Sequence, residues 1–316
     1  MAVKPGVHNE QIVLMLQQNG RASFSELARK LQLPRSVVAK QVTDLIDSGA
    51  LQLVAAVHPR VLGLNALAHI SIRLDGAAHS VVDHLLTLDA AAFVSQTTGQ
   101  YSLVAELRYP TMAELYQGID AIRAIPEVGD TNVLIYHDVL RSFFLQEEPD
   151  LPDLTLDDVD LQLITELQVD GRLSFGELGR RVGLSVSAAR SRVHNLIESH
   201  VLQIGAIRGR GQASQGNILG FGITTSGSAP AVLDVINQIP GVEFIARCFG
   251  NFDLVVTFAA SDLYAATDIL DSLRELPEVD AVTSWVHLRI VKEHYNMSFD
   301  QLPKRYPAPS RRGGAA

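Results

Sequence analysis

The sequence is poor in cysteine and in tryptophan. A chain of 316 residues with one cysteine, Cys248, can form no internal disulfide. No Cys or His pair has the close spacing of a structural zinc site, so we expect neither a metal nor another cofactor. Cys248 lies among apolar residues, which predicts a buried thiol in a strand.

Long apolar runs are also missing. No stretch approaches the roughly 18 apolar residues of a membrane-spanning helix, and the start, MAVKPGVHNEQ, lacks the apolar segment of a signal peptide. We therefore expect a cytoplasmic protein with no membrane partner. An apolar fraction of 47% and a charged fraction of 19% are typical of a globular chain long enough for two or more domains.

Positive charge is not in excess, which argues at first against nucleic acid as a partner. The formal net charge is -9, whereas binding to phosphates needs Lys and Arg. The charge is uneven, however: residues 20–51 carry +2 and residues 171–202 carry +3, which leaves -14 for the rest. Two basic segments on an acidic body would confine DNA contact to those segments.

The two basic segments belong to a long internal repeat. NGRASFSELARKLQLPRSVVAKQV in the first half corresponds to DGRLSFGELGRRVGLSVSAARSRV in the second, at an offset of 151 residues. Over residues 19–51 and 170–202, 14 of 33 positions are identical. The same offset pairs Gly99 with Gly250 and two Pro-Glu-Val tripeptides, so the whole half-chain is repeated. A repeat this long can hold a core of its own.

The first fifty residues of each unit have helical patterning. In the second unit, a first helix is predicted from apolar spacing before Gly171. The pattern Ser174-Phe-Gly-Glu177, repeated from Ser23 to Glu26, predicts a capping box with reciprocal hydrogen bonds.

A third helix is predicted after a tight turn. Gly183 can adopt a positive φ, and Ser185 can cap a helix that reaches about Ser199. Three short helices with such a turn indicate a helix-turn-helix. Gln32 and Pro34 stand at the turn positions of the first unit, whose turn is therefore less typical.

After each helical segment the apolar period changes to two. LQLVAAV and LQIGAI are predicted single strands, and a βαββαβ order follows. In the second unit we predict strands at 218–225, 242–249, 252–259 and 281–291, and helices at 229–239 and 261–276. This order is the ferredoxin-like arrangement, an antiparallel sheet with two helices on one face. Gly250-Asn251 predicts a two-residue hairpin, and Gly99-Gln100 occupies the same place more weakly.

The predicted fold class is α+β, in two tandem units. Each unit has an N-terminal helix-turn-helix, winged-helix-like domain followed by a ferredoxin-like domain of the RAM or ACT kind. An acidic, proline-containing segment predicts an exposed linker, and the end of the chain from Pro303 predicts a disordered tail. The predicted boundaries are 1–52 and 159–203 for the helix-turn-helices, 53–145 and 204–300 for the ferredoxin-like domains, 146–158 for the linker and 301–316 for the tail.

This arrangement resembles the Lrp/AsnC family of bacterial and archaeal transcription regulators. The segment LDDVDLQLITELQVDGRLSFGELGRRVGLSVSAARSRVHNLIESHVLQIGAI resembles the family signature, and the similarity extends through residue 292. Because the family norm is one unit per chain, the sequence looks like a tandem fusion. The resemblance implies a non-enzymatic regulator of double-stranded DNA that forms homo-oligomers and responds to an amino acid or related effector.

The resemblance also implies that the third helix of each helix-turn-helix enters the DNA major groove. A well-placed arginine there can bind guanine bidentately, which is worth about 1–3 kcal/mol of discrimination. The DNA-binding candidates are Ser185, Ser187, Arg190, Ser191 and His194 with Arg181 and Arg192 for phosphates in the second unit, and Arg35, Ser36, Lys40 and Gln41 in the first. Asp44 and Asp47 reduce the positive charge of the first set. Each residue taken alone is also explained as a solvated surface side chain.

In the family an effector site lies near a Gly-x-(Tyr/Phe)-Asp motif at the central hairpin. The candidate effector residues are Gly250, Asn251, Phe252 and Asp253 in the second unit, and Gly99, Gln100 and Tyr101 in the first. Asp253 is expected to accept hydrogen bonds from an ammonium group while turn amides hold a carboxylate. Ser102 replaces the aspartate in the first unit. The alternative is that the motif is only a hairpin with a solvated aspartate.

Two other functions remain open. Sirohaem decarboxylases resemble Lrp/AsnC proteins and occur as fused pairs, but they carry an Arg/His-rich motif at the central hairpin. Here the hairpins read RCFGNFDLVVTF and QTTGQYSLVAEL, where Arg247 is a poor substitute, while the similar KEHYNMSF follows the last strand. The third possibility is an effector sensor without DNA binding. The glycine-rich segment 209–216 has the wrong spacing for a nucleotide loop and favours a connector.

Overall fold

The structure, a computed structural model, describes residues 7–142, 156–208, 217–227, 230–239, 241–260 and 263–293. The described residues form two compact units, one from 7–63 and 156–208, the other from 64–142 and the described parts of 217–293. Three predicted features lie wholly or largely outside the described residues: the linker up to 155, the connector 209–216 and the tail 301–316. Within the described ranges, no helix has the length and apolar character needed to cross a bilayer.

The first half of the chain has the predicted order of helices and strands. Its elements are α1 (Val7–Gln18), α2 (Phe24–Leu31), α3 (Arg35–Asp47), β1 (Leu51–Val57), β2 (Ala66–Leu74), α4 (His79–Thr87), β3 (Ala91–Thr97), β4 (Leu103–Tyr109), α5 (Met112–Arg123) and β5 (Val128–Arg141). We call α1 to α3 the first head.

The second half repeats that order. Its elements are α6 (Asp158–Val169), α7 (Phe175–Val182), α8 (Val186–Glu198), β6 (Leu202–Arg208), β7 (Asn217–Thr225), α9 (Pro230–Gln238), β8 (Val242–Phe249), β9 (Leu254–Ala260), α10 (Leu263–Arg274) and β10 (Val279–Glu293). We call α6 to α8 the second head. The α+β class is confirmed.

Helices α7 and α8 of the second head begin at the predicted N-caps, and α7 ends at the predicted glycine. Ser174 and Ser185 are N-caps whose side chains accept the amides three residues later, and Gly183 has φ 72°. The reciprocal half of the box predicted at Ser174 is missing, because Arg180 and Arg181 hold the Glu177 carboxylate instead. A full capping box forms earlier, between Asp157 and Asp160 at the start of α6. This box was not predicted, since Asp157 and Asp158 were assigned to the linker.

The turn of the first head has the same geometry with less suitable residues. Gln32 adopts φ 56°, a left-handed conformation that costs a non-glycine residue about 1 kcal/mol. Pro34 precedes α3 and provides no side-chain cap. The prediction of a less typical turn is therefore confirmed, while the turn itself is kept.

Strands β1 and β6 pair with each other and join the two heads in one unit. They run antiparallel, with Leu51 opposite Arg208 and Val57 opposite Leu202. The Gly20 amide donates to the Ile204 carbonyl at 2.9 Å, and a Cβ on Gly20 would lie 2.7 Å from the Gly205 Cα. Such close backbone approach requires glycine. LQLVAAV and LQIGAI were predicted as single strands, and the structure pairs these two strands with each other.

The other unit is a closed barrel made from two βαββαβ modules. The strand order is β10-β3-β4-β2-β5-β8-β9-β7, so each module keeps the ferredoxin-like order and the module edges join at β5–β8 and β10–β3. The helices pack on one face of each sheet, where two separate apolar cores form. When a sheet has apolar residues on both faces, the face opposite the helices must also be buried. Here the opposite faces meet inside the barrel around Leu134, Cys248 and Val255.

The central hairpins are longer than predicted. In the second module the loop between β8 and β9 has four residues, 250–253, because β9 begins at Leu254 and not at the predicted residue 252. The Asp253 amide donates to the Ile223 carbonyl at 2.9 Å, and the Cys248 amide donates to the Asp253 carbonyl at 2.9 Å. The predicted two-residue turn at Gly250-Asn251 is therefore wrong, although strand β8 has the predicted bounds.

Candidate DNA-binding surface of the two heads

One face of α8 is buried and the opposite face is exposed. Ala189, Val193 and Leu196 are buried at helical spacing. The exposed residues of the other face are Val186, Ser187, Arg190, Ser191 and His194. The predicted candidates Ser187, Arg190, Ser191 and His194 thus lie on one surface. Ser185 adjoins it as the N-cap, where its Oγ accepts the Ala188 amide at 3.2 Å.

The two arginines predicted for phosphate contact are engaged within the second head. Arg192 Nη1 lies 2.8 Å from both Asp157 Oδ2 and Asp160 Oδ1. Arg181 pairs with Glu166 on α6 and with Glu177 on its own helix. The structure therefore uses these arginines to join α8 and α7 to α6, where the sequence analysis placed them at the DNA surface.

The corresponding face of the first head has balanced charge. Arg35, Ser36 and Lys40 are exposed on α3, but Lys40 Nζ lies 2.6 Å from Asp44 Oδ2. Gln41 is only half-exposed, and its Oε1 is buried with no hydrogen-bond partner among the described residues. Arg35, Ser36 and Lys40 thus remain able to face DNA, while the position of Gln41 does not favour that role.

Two arginines at identical repeat positions cross between the heads. Arg21 donates to the carbonyls of Gly171 and Leu173, each at 2.8 Å. Arg172 donates to the Ala22 carbonyl at 2.8 Å. Burial lowers the pKa of both guanidinium groups, and the pKa of Arg21 is lowered further by the nearby charge of Arg172.

Each crossing arginine also covers an aromatic ring of the opposite head. The Arg21 Cζ lies 4.4 Å from the ring centroid of Phe175, and the Arg172 Cζ lies 4.8 Å from that of Phe24. From the sequence, both arginines were predicted only to add positive charge. The Gly-Arg-x-Ser-Phe pattern, common to both halves, was the signal for this exchange. Arg21 and Arg172 are therefore not free to neutralise phosphates.

Three segments of the chain match known domains. Residues 156–197 match the AsnC-type helix-turn-helix domain, residues 221–297 the Lrp/AsnC ligand binding domain, and residues 9–52 a winged helix-turn-helix DNA-binding domain. The HTH-type transcriptional regulator FL11 of Pyrococcus abyssi is 30% identical over 129 residues, which cover 40% of this chain and 85% of that protein. The chain belongs to the Lrp/AsnC family of DNA-binding transcription regulators. The Leucine-responsive regulatory protein of Escherichia coli is 31% identical over 148 residues, 45% of this chain and 90% of its own.

A solved structure shares the fold over nearly the whole chain. The crystal structure of the siroheme decarboxylase NirDL superimposes with a TM-score of 0.63 and 16% identity, covering 93% of this chain and 96% of that chain. At this identity the likeness concerns the fold alone.

The Lrp/AsnC hairpin motifs differ between the two modules. Asp253 Oδ2 accepts the Thr225 amide at 2.7 Å, so its carboxylate already has a backbone donor. Gly250, with φ 149°, packs against Leu134 of β5, whereas Gly99, with φ 98°, has open space beside it. Asn251 and Gln100 are exposed, and Phe252 and Tyr101 are half-buried. The seven candidate effector residues therefore fall at two separate hairpins.

The barrel interior contains a polar cluster that the sequence analysis did not single out. Tyr136 Oη donates to Glu106 Oε1 at 3.3 Å, and burial raises the pKa of both groups. Arg108 lies on the same face of β4 and lowers the pKa of the Glu106 carboxyl in turn. The cavity beside them holds only about 10 Å³, room for one water molecule. A raised Glu106 pKa and a small cavity fit a structural role.

Two further titratable groups of the barrel, Cys248 and His69, are buried. Cys248 is buried in β8, as predicted, and burial raises its thiol pKa to about 12. Burial lowers the pKa of His69 to about 4, so its ring is neutral. In the part of the chain that the structure describes, no group of three or more His, Cys, Asp or Glu side chains is arranged to hold a metal ion.

Proposed function

We propose that this regulator reads a specific site on double-stranded DNA mainly through the exposed face of α8. The observation that carries the proposal is Arg190, which is exposed on the third helix of a helix-turn-helix and has no ion pair among the described residues. Ser187, Ser191 and His194 beside it supply further donors and acceptors. The first head adds Arg35, Ser36 and Lys40, which are partly offset by Asp44 and Asp47.

The two heads are proposed to act as a tandem pair on one operator. Family-type operators present half-sites about 34 Å, or a multiple of it, apart along the duplex. Because α3 and α8 differ at most exposed positions, we expect the two halves of the operator to differ in sequence. Footprinting that showed two equivalent, symmetric half-sites would count against this pairing.

The decisive experiment selects bound fragments from sheared genomic DNA at about 150 mM salt, which suppresses most non-specific phosphate binding. We expect enrichment of a discrete site by the wild-type protein. Arg190→Ala should weaken binding to that site by roughly 5- to 150-fold, the equivalent of one bidentate contact. Arg274→Ala, which removes the same charge from an exposed position on α10, is the matched control. Equal binding by both variants would remove α8 from the interface.

We further propose a small-molecule effector, an amino acid or a relative of one, bound near the central hairpins. The match of residues 221–297 to a ligand binding domain supports this, since the range includes the hairpin 250–253. Titration calorimetry with single amino acids tests it, followed by the same titrations with Asp253→Asn. If no amino acid binds, or if Asp253→Asn leaves the affinity unchanged, the hairpin of the second module is not the site.

We propose a cytoplasmic location, which the DNA-binding role supports, and we propose that fused chains associate further into homo-oligomers. The family likeness supports the second point. Light scattering during size-exclusion chromatography measures the mass directly, and a single 34.3 kDa species at all concentrations would contradict self-association.

A second candidate function follows from the fold likeness to a siroheme decarboxylase. Titration with iron protoporphyrin, followed by absorbance, discriminates between the two functions. A saturable Soret shift at one equivalent would favour a tetrapyrrole enzyme, and an unchanged spectrum would favour the regulator. An effector sensor without DNA binding would instead bind its ligand but enrich no fragment.

A further inference from the structure

The two crossing arginines, Arg21 and Arg172, have different surroundings in the heads that they reach. Arg21 of the first head reaches the turn before α7 through two carbonyls and covers Phe175. Phe175 is also a neighbour of the α8 side chains. The Arg190 Cζ lies 6.0 Å from its ring centroid, and the His194 ring lies 5.9 Å from it, centroid to centroid.

The opposite end of the exchange lacks such neighbours. Arg172 covers Phe24 in the first head, but the positions on α3 that correspond to Arg190 and His194 are Ala39 and Thr43. Neither side chain carries a charge or a ring, so neither can stack on Phe24. Among the described residues, contacts of a cation or a ring therefore continue from one head to the third helix of the other in one direction only.

We propose that Arg21, on the first head, is a positioning residue for the DNA-reading side chains Arg190 and His194 of the second head. The inference rests on the proposed function of α8. It makes the base preference of the second head depend on the first, although Arg21 contacts no DNA.

The physical basis is that each contact in this series restricts the conformations of the next side chain. A half-buried guanidinium with two carbonyl acceptors is held in one orientation, and its planar group holds the Phe175 ring beneath it. Arg190 has a long, exposed side chain. In the free protein its neighbour is the Phe175 ring. Bidentate reading of a base tolerates errors of only about 0.5 Å and 10–20°.

The first test measures affinities for every single-base variant of the site selected by the wild-type protein. At the base pairs whose preference Arg190→Ala abolishes, Arg21→Gln should reduce discrimination by about fivefold or more. Arg172→Gln is the matched control, because it removes the mirror-image contact and should leave discrimination within about twofold. Arg21→Lys keeps the charge but cannot bond as a fork, so it should give the Arg21→Gln profile with a smaller loss of stability.

Equal effects of Arg21→Gln and Arg172→Gln would overturn the inference and leave the arginines as structural contacts. If the wild-type protein selected no site, the proposed function would fail, and a measurement without DNA would still decide the inference. The histidine ring signals of the free protein serve this purpose, with His194 assigned from its loss in His194→Gln. We expect Arg21→Gln to shift the His194 signal and Arg172→Gln to leave it in place. A signal that stays in place in both variants, or moves equally, would contradict the positioning role.

Discussion

The two heads have nearly the same fold, but their helices are joined by different forces. In the second head, Arg192 bridges α8 to Asp157 and Asp160 at the start of α6, and Arg181 bridges α7 to Glu166. At the offset of 151 residues, Gln41 replaces Arg192, Asn9 replaces Asp160 and Met15 replaces Glu166. Among the described residues of the first head, no ion pair joins one helix to another, and its helices pack through an apolar core.

The residues that replace the ion pairs lower the stability of the first head. Asn9 Oδ1 and Gln41 Oε1 are buried without a hydrogen-bond partner in the described structure, and a buried unsatisfied acceptor costs about 1–3 kcal/mol. The pattern of apolar residues is enough to build a helix-turn-helix. Ion pairs decide how firmly the third helix is held. They are present in the second head, which carries Arg190, so α8 should be held more firmly than α3.

The largest effect should come from the glycines where the heads meet β6. Gly20→Ala places a Cβ 2.7 Å from the Gly205 Cα, a backbone atom that cannot move aside, and we expect a loss of about 2–3 kcal/mol. For Gly171→Ala the nearest atom to the new Cβ is the Ile204 Cγ2 at 3.0 Å, a side-chain atom, and backbone atoms lie at 3.6 Å or more, so its cost should be about 1 kcal/mol. Urea unfolding midpoints compare the two, and equal shifts would show that the heads meet this ribbon symmetrically.

Breaking the ion pair should weaken the second head selectively. Arg192→Gln leaves Asp160, whose side chain is 13% exposed, without its cation. We expect local opening of α6 to α8 to become easier by about 1–2 kcal/mol, between the values for surface and buried pairs. Hydrogen exchange of peptides from the two heads measures this. Gln41→Met is the control in the first head, and a comparable loss there would refute the assigned role of Arg192.

Acidic pH should remove the stability that the Arg192 ion pair gives to the second head. Burial alone would raise the pKa of the Asp157 carboxyl, but its hydrogen bond from the Asp160 amide and its pairing with Arg192 bring it below the usual value. Such a carboxylate stabilises the fold fully above its unfolded pKa, about 4, and the contribution is lost as pH falls through the lower folded value. The gap in melting temperature between wild type and Arg192→Gln should therefore shrink from pH 7 to about pH 3. A constant gap would contradict the ion pair.

The smallest predicted effect is an increase in the stability of the first head. Asn9→Asp combined with Gln41→Arg copies the bridge of the second head into the first and should stabilise it by about 0.5–1 kcal/mol. Asn9→Asp alone should destabilise, since it adds a buried charge without a partner. Hydrogen exchange of α1 and α3 reports both, and a double variant no better than the single one would show that the first head cannot form this bridge.

Much of the fold followed from local chemistry in the sequence. The N-caps Ser174 and Ser185, the left-handed Gly183 and the bounds of β8 are properties of a few neighbouring residues, and these predictions are confirmed. The hairpin at 250–253 was predicted too short: β9 begins at Leu254, and the Asp253 carboxylate accepts the Thr225 amide, 28 residues away in the chain. Of the α8 candidates, the exposed set was predicted by helical spacing, while the role of Arg192 depended on residues 32 and 35 positions away.

The sequence by itself determined the repeat, the order of helices and strands, the α+β class and the family, because apolar periodicity and capping residues act over one or two turns. Only the tertiary structure decided which charged residues are available to a partner. Arg21, Arg172, Arg181 and Arg192 look alike as basic residues, yet each is engaged by carbonyls or carboxylates of another helix or head. Hydrogen bonds and ion pairs depend on distances of about 3 Å between side chains far apart in the chain, and only the folded protein sets those distances.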